Sequence, residues 1–178
     1  MMDYFEIEGK NKLYGEIQIS GAKNAVLPLM AASILNDRAL TITNVPKLSD
    51  SITMGKLIEG MGGEVSFDSN SITINPKNLN TPYAPYDLVK TMRASFYVLG
   101  PLIAKFGEAK VSLPGGCAWG PRPVDFHIEG MKQLGIDISL EAGYVVARSE
   151  KMTGNKIVFP KVSVGATGNV LMAAVLAE

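Results

Sequence analysis

The chain has 178 residues, 47% of them hydrophobic and 19% charged, which supplies a packed core and excludes a disordered or fibrous chain. Its 17 basic and 17 acidic side chains cancel, and the basic ones neither cluster nor interleave with aromatics, so no nucleic acid is expected as a partner. One cysteine cannot close an internal disulfide, the start has no basic or apolar signal region, and the longest uncharged stretch, 162–177, is too short and too polar for a membrane span. The expected setting is the reducing cytoplasm, with no membrane.

In chain order, period-two alternation over 15–19 predicts a half-buried strand, and the apolar run 25–35 predicts a buried helix with Pro28 in its first turn. Residues 40–43 alternate as a strand. Asp50 is a candidate N-cap for a helix in which Met54, Leu57, Ile58 and Met61 recur at helical spacing. Val65 and Phe67, then Ile72 and Ile74, flank the turn chemistry of 68–71 and predict an antiparallel hairpin.

The same order then returns: a helix over 90–104, a strand over 109–113, a helix over 125–134 stopped by Gly135, and alternating strands at 136–140 and 144–146. This is an internal repeat. Aligning Pro46 with Pro114 gives an offset of 68, whereas aligning Gly62 with Gly135 gives 73. The extra residues fall in 114–123, so the second unit carries an enlarged loop. Residues 165–174 echo 21–32 and open a third unit, which ends inside its first helix. Such a unit leaves an apolar face uncovered, so the chain is expected to be a fragment of a longer protein.

The loop 114–123 holds three glycines, three prolines, Cys117 and Arg122, a composition that predicts an exposed, irregular segment. Arg122 would favour the Cys117 thiolate and bind an anion, which suits a proton donor or nucleophile. A small buried hydrophobe is the competing reading. Lys23-Asn24 sits where a strand passes into a helix, so backbone donors and an ammonium group converge on a phosphate or carboxylate, unless the lysine is simply solvated. Arg93, in an otherwise apolar helix, must pair with a carboxylate or reach an anionic ligand.

Residues 161–165 form a third turn of this kind, and three such turns suit a common anionic ligand. Neither a Walker loop nor a Gly-x-Gly-x-x-Gly fingerprint is present. His127 is the only histidine, and no pair of cysteines or histidines has ligand spacing, so no metal is expected. Beside Asp125 on a helix, His127 is assigned a structural role.

Three blocks, Ser20-Gly-Ala-Lys-Asn-Ala25, Leu113-Pro-Gly-Gly-Cys-Ala118 joined to Arg122-Pro-Val-Asp125, and Ser163-Val-Gly-Ala-Thr167, carry a resemblance. Together they make the chain similar, over essentially its whole length, to the amino-terminal part of the enolpyruvyl transferases. The resemblance points to the branch that uses UDP-N-acetylglucosamine. It implies an α/β fold, an inside-out α/β barrel of the EPSP synthase-like type built from repeated βαβαββ units. Two units would be complete, at about 16–77 and 86–150, with the start of a third at 155–178. Residues 1–15 would belong to the second domain of the full-length protein, and 16–178 would form most of the first.

The implied reaction moves the enolpyruvyl group of phosphoenolpyruvate to the 3-hydroxyl of UDP-N-acetylglucosamine and releases phosphate, the first committed step of peptidoglycan synthesis, with no cofactor. By resemblance, Cys117 protonates the methylene carbon of phosphoenolpyruvate and is the residue alkylated by fosfomycin. Lys23, Asn24 and Arg122 would hold phosphoenolpyruvate. Arg93, Arg122, Pro123, Val124, Asp125, Phe126, Lys161, Val162, Ser163 and Val164 would hold the sugar nucleotide. Trp119 and Gly168 depart from the family pattern.

The aspartate that deprotonates the sugar hydroxyl would come from the missing carboxy-terminal domain, so this chain alone is expected to be inactive. The rival readings are a shikimate-pathway enolpyruvyl transferase and a non-catalytic sugar-nucleotide-binding paralogue.

Overall fold

The structure, a computed structural model, describes residues 4–115 and 124–178. Cys117, Trp119, Arg122 and Pro123 lie outside the described residues.

Each repeat is organised by an antiparallel hairpin. In the first, β1 (Leu40–Thr43), β2 (Glu64–Phe67) and β3 (Ser71–Asn75) form a sheet of order β1-β3-β2, with Leu40 and Val65 both opposite Ile74. In the second, β4 (Tyr83–Ala84), β5 (Glu108–Ser112), β6 (Asp137–Glu141) and β7 (Tyr144–Arg148) form a sheet of order β4-β5-β7-β6, with β4 parallel to β5. The start of β1 precedes that of β5 by 68 residues, and the starts of β2 and β3 precede those of β6 and β7 by 73. These are the two offsets of the sequence repeat. Alternation explains the strands: Ile72 and Ile74 of β3, and Val145 and Ala147 of β7, are buried while their neighbours face outward.

The helices are α1 (Lys23–Ala32), α2 (Ser49–Gly60), α3 (Tyr86–Val89), α4 (Leu99–Phe106), α5 (Asp125–Lys132) and α6 (Val164–Ala174). A 3-10 turn, Ser33–Leu35, extends α1, and another, Arg93–Val98, leads into α4. One continuous core joins the repeats, with Met30, Ile34, Leu57 and Ile74 from the first and Phe96, Leu99, Leu102 and Ile103 from the second.

The predicted strand at 15–19 does not form. Ile17 and Ile19 are 86% and 73% exposed, and β1 lacks the parallel neighbour that β4 gives β5. Alternation reports an amphipathic segment, but a strand also needs a partner for its N–H and C=O groups. Residues 151–159 likewise carry no regular structure ahead of α6. The long helix predicted over 90–104 is broken, because Pro101 is accepted in the first turn of a helix that starts at Leu99 but not in the interior of one that starts at Lys90. Asp50 is not an N-cap either. Leu48 holds that position, and Asp50 sits in the first turn of α2, where a carboxylate meets the positive end of the helix.

Candidate active site

The site begins at Gly21. A Cβ built on it would lie 1.8 Å from the Asn44 carbonyl oxygen, and its N–H donates to Asn44 Oδ1 at 3.1 Å. Only glycine lets the chain pass this close to the end of β1 before turning into α1. The helix then opens directly on Lys23 and Asn24, with no acidic residue in its first turn. Pro28 is therefore its sixth residue rather than a first-turn one. Lacking an N–H, Pro28 cannot donate to the Asn24 carbonyl, while the start of α1 presents its first N–H groups.

These groups line a cavity of about 470 Å³. Lys23, Asn24, Pro28 and Asp50 come from the first repeat, Arg93, Tyr97, Val124 and His127 from the second, and Val164 and Gly165 from the start of α6. Lys23 Nζ is 2.9 Å from Asp50 Oδ2. Among the described residues, Arg93 has no carboxylate within ion-pair distance, and its side chain is exposed on the cavity. Ser163 caps α6 by accepting from the Ala166 N–H at 3.2 Å. The N–H groups of Val164 and Gly165 precede the first intrahelical bond, and no acidic residue stands in that turn. Two helix N-termini, a lysine and an arginine thus surround one space, an arrangement that attracts a multiply charged anion.

Both stems of the 116–123 segment belong to this region. Val124 lines the cavity, and a Cβ on Gly115 would meet the Lys90 carbonyl oxygen at 2.8 Å, next to the turn that carries Arg93.

Other expected site residues stand further out. Asp125 is exposed at the start of α5, and Phe126 stacks on Phe159 at 6.0 Å between ring centroids. Lys161 and Val162 are exposed, and the Ser163 hydroxyl is engaged in its cap.

The sequence assigns His127 a structural role and does not single out Asn169 or Tyr97. His127 is buried but lines the cavity, and burial, with the Arg93 charge adding to it, lowers its pKa to about 4. Asn169, fully buried, holds the His127 ring from behind at 3.0 Å. Tyr97 closes the same wall. Burial raises its pKa, and Arg93 opposes that.

The chain matches the family described as EPSP synthase (3-phosphoshikimate 1-carboxyvinyltransferase) over residues 7–178, and it belongs to that enolpyruvyl transferase family. It is 54% identical over 178 residues to UDP-N-acetylglucosamine 1-carboxyvinyltransferase of Acinetobacter guillouiae, covering 99% of this chain and 42% of that protein. It is 51% identical over 180 residues to the protein of the same name from Chlorobium limicola, again covering 99% and 42%. The chain therefore spans about two fifths of the length of these relatives.

Among solved structures, the enolpyruvyl transferase NikO from Streptomyces tendae superposes with a TM-score of 0.79 at 21% identity, covering 95% of this chain and 40% of that one. EPSP synthase from Acinetobacter baumannii superposes at 0.71 and 19%, covering 92% and 39%. The fold is thus the EPSP synthase-like α/β fold of repeated units. Among the described residues, no helix is long and apolar enough to cross a membrane.

Proposed function

We propose that this chain is the amino-terminal part of a cytoplasmic enzyme that transfers the enolpyruvyl group of phosphoenolpyruvate to the 3-hydroxyl of UDP-N-acetylglucosamine, the first committed step of peptidoglycan synthesis. The observation that carries the reading is the convergence of Lys23 and Asn24, Arg93 and the N-terminus of α6 on one cavity. Phosphoenolpyruvate and a nucleoside diphosphate sugar are both multiply anionic and need several cationic or N–H donors at once. The Lys23 end suits the phosphate that leaves, where a fixed cation stabilises developing charge. The α6 end suits the diphosphate, with Ser163 and Val164 at the turn and Lys161 nearby. Val124, Asp125 and Phe126, on the stem and first turn of α5, face the nucleoside in this reading, beside Pro123.

Cys117 is the proposed proton donor to the methylene carbon, and Arg122 the second cation on phosphoenolpyruvate. The described chain leaves this region at Gly115 and re-enters it at Val124, which favours both roles. The base for the sugar hydroxyl is assigned to a second domain, consistent with relatives more than twice as long as this chain. Exposed Tyr4, Phe5, Ile7, Leu13 and Tyr14 suit a segment that packs on that domain.

The shikimate-pathway reading draws on the description of the matched family and on solved structures at 19% identity, against named relatives above 50% identity that carry the other name. Fosfomycin tests the assignment: with UDP-N-acetylglucosamine present it should alkylate Cys117 of the full-length protein, and Cys117→Ser should abolish both labelling and turnover. Labelling elsewhere, or full turnover by the serine variant, contradicts the role given to Cys117.

A further inference from the structure

The side-chain amide of Asn169 is held by two backbone groups that leave it only one orientation. Its Oδ1 accepts from the Gly100 N–H at 2.7 Å, and its Nδ2 donates to the Phe96 carbonyl at 2.9 Å. Swapping oxygen and nitrogen would set donor against donor at Gly100 and acceptor against acceptor at Phe96. The approach is fixed as well, since a Cβ on Gly100 would lie 2.2 Å from the Asn169 carbonyl oxygen, so α4 and α6 cannot slide apart without losing it.

The second Nδ2 hydrogen points at His127 Nδ1, 3.0 Å away. Nδ1 must then be an acceptor, which puts the imidazole proton on Nε2. Among the described residues Nε2 has no hydrogen-bond partner, yet it is not an orphaned buried atom, because Ser95 Oγ is the one such atom found. It therefore opens on the cavity, beside the start of α6. A Cβ on Gly165 would come within 3.3 Å of it.

We infer that Asn169 is a positioning residue that locks His127 in the neutral, Nε2-protonated form, so that its N–H is presented to the anionic group bound at the N-terminus of α6. This rests on the proposed function, in which that group is the diphosphate of the sugar nucleotide. A neutral donor held in one tautomer binds an acceptor without titrating over the working pH range. The charged and titratable groups around the ring act in the same sense or stand across the cavity. Arg93 and Tyr97 line the cavity from the 3-10 turn, Lys23 and Asp50 from α1 and α2, and α6 brings no charged or titratable group there, only Val164 and Gly165 on the cavity and Asn169 behind the ring. Burial, Arg93 and the Asn169 donor all oppose protonation of the ring, consistent with its lowered pKa.

The first test uses the full-length protein labelled on histidine nitrogen, with the His127 signals assigned by their loss in His127→Gln. Nitrogen-15 shifts should show Nε2 protonated and Nδ1 bare, unchanged between about pH 8 and pH 5.5. A proton on Nδ1, or titration near the ordinary histidine value, overturns the proposal.

The second test is Asn169→Asp in the full-length protein. A carboxylate draws the proton to Nδ1 and raises the ring pKa, leaving a lone pair on Nε2 at neutral pH. KM for UDP-N-acetylglucosamine should then rise at least about tenfold above pH 7 and recover as pH falls and the ring becomes doubly protonated, while KM for phosphoenolpyruvate stays put. A loss equal at every pH, or no loss, makes Asn169 merely structural and overturns the positioning role. Absence of turnover of UDP-N-acetylglucosamine by the unsubstituted full-length protein sinks the substrate reading, and with it the diphosphate as His127's ligand, while the shifts still decide the tautomer.

Discussion

Lys23 Nζ lies 2.9 Å from Asp50 Oδ2, an ion pair between the first turns of α1 and α2 on the wall of the cavity. Lys23 is 48% exposed and Asp50 30%, so the pair is solvated and worth at most about 1 kcal/mol. An incoming phosphate can share the lysine without a large cost. Lys23→Ala should therefore lower kcat/KM for phosphoenolpyruvate by about a hundredfold or more, the scale of losing a fixed charge at a leaving group. Asp50→Asn should change it by less than about fivefold. Steady-state kinetics of the full-length protein check both, and an Asp50 effect as large as the Lys23 effect would mean that the pair acts as a unit.

Gly21→Ala sets a methyl group 1.8 Å from a backbone oxygen, a clash that no side-chain rotation relieves. The turn into α1 must shift, at a cost of about 1–3 kcal/mol. Thermal unfolding of the variant should show a lower Tm, and phosphoenolpyruvate affinity should fall with it, because the same turn aims Lys23 and Asn24. An unchanged Tm would show that the start of α1 is not pinned to Asn44.

His127 makes acid stability predictable in sign. Its pKa is about 4 when folded against an ordinary 6.5, so between those values the unfolded chain takes up a proton that the folded chain refuses. Its contribution is fully present above about pH 6.5 and is lost as pH falls towards 4, about 3 kcal/mol in all. Denaturant unfolding at pH 7 and pH 4.5 should show this loss, and His127→Gln should reduce it. An equal loss in both proteins would place the acid sensitivity elsewhere.

The hairpins were legible because period-two alternation marks β3 and β7, where Ile72, Ile74, Val145 and Ala147 are buried; β2 and β6 alternate too, although Phe67 and Leu140 stay exposed. The two offsets of the repeat survive in the starts of the strands. Lys23-Asn24 was expected where a strand passes into a helix; the helix starts there, but among the described residues no strand precedes it. The strand expected at 15–19 was not settled by its own pattern, since pairing depends on a neighbour that the segment does not carry. The breaks flanking α4 follow from Pro101, whose position within a helix turn cannot be known before the helix start is. That His127 lines the cavity with Asn169 behind it was not legible for another reason. Their relation spans 42 residues, and it rests on amide contacts to Phe96 and Gly100 that only the packing of α4, α5 and α6 brings together.

The central claim is the identity of the acceptor. The most direct measurement is phosphate release from phosphoenolpyruvate by the full-length protein, with UDP-N-acetylglucosamine in one reaction and shikimate 3-phosphate in another. Release with the sugar nucleotide alone is the predicted result. Release with shikimate 3-phosphate alone, or with neither acceptor, would contradict it.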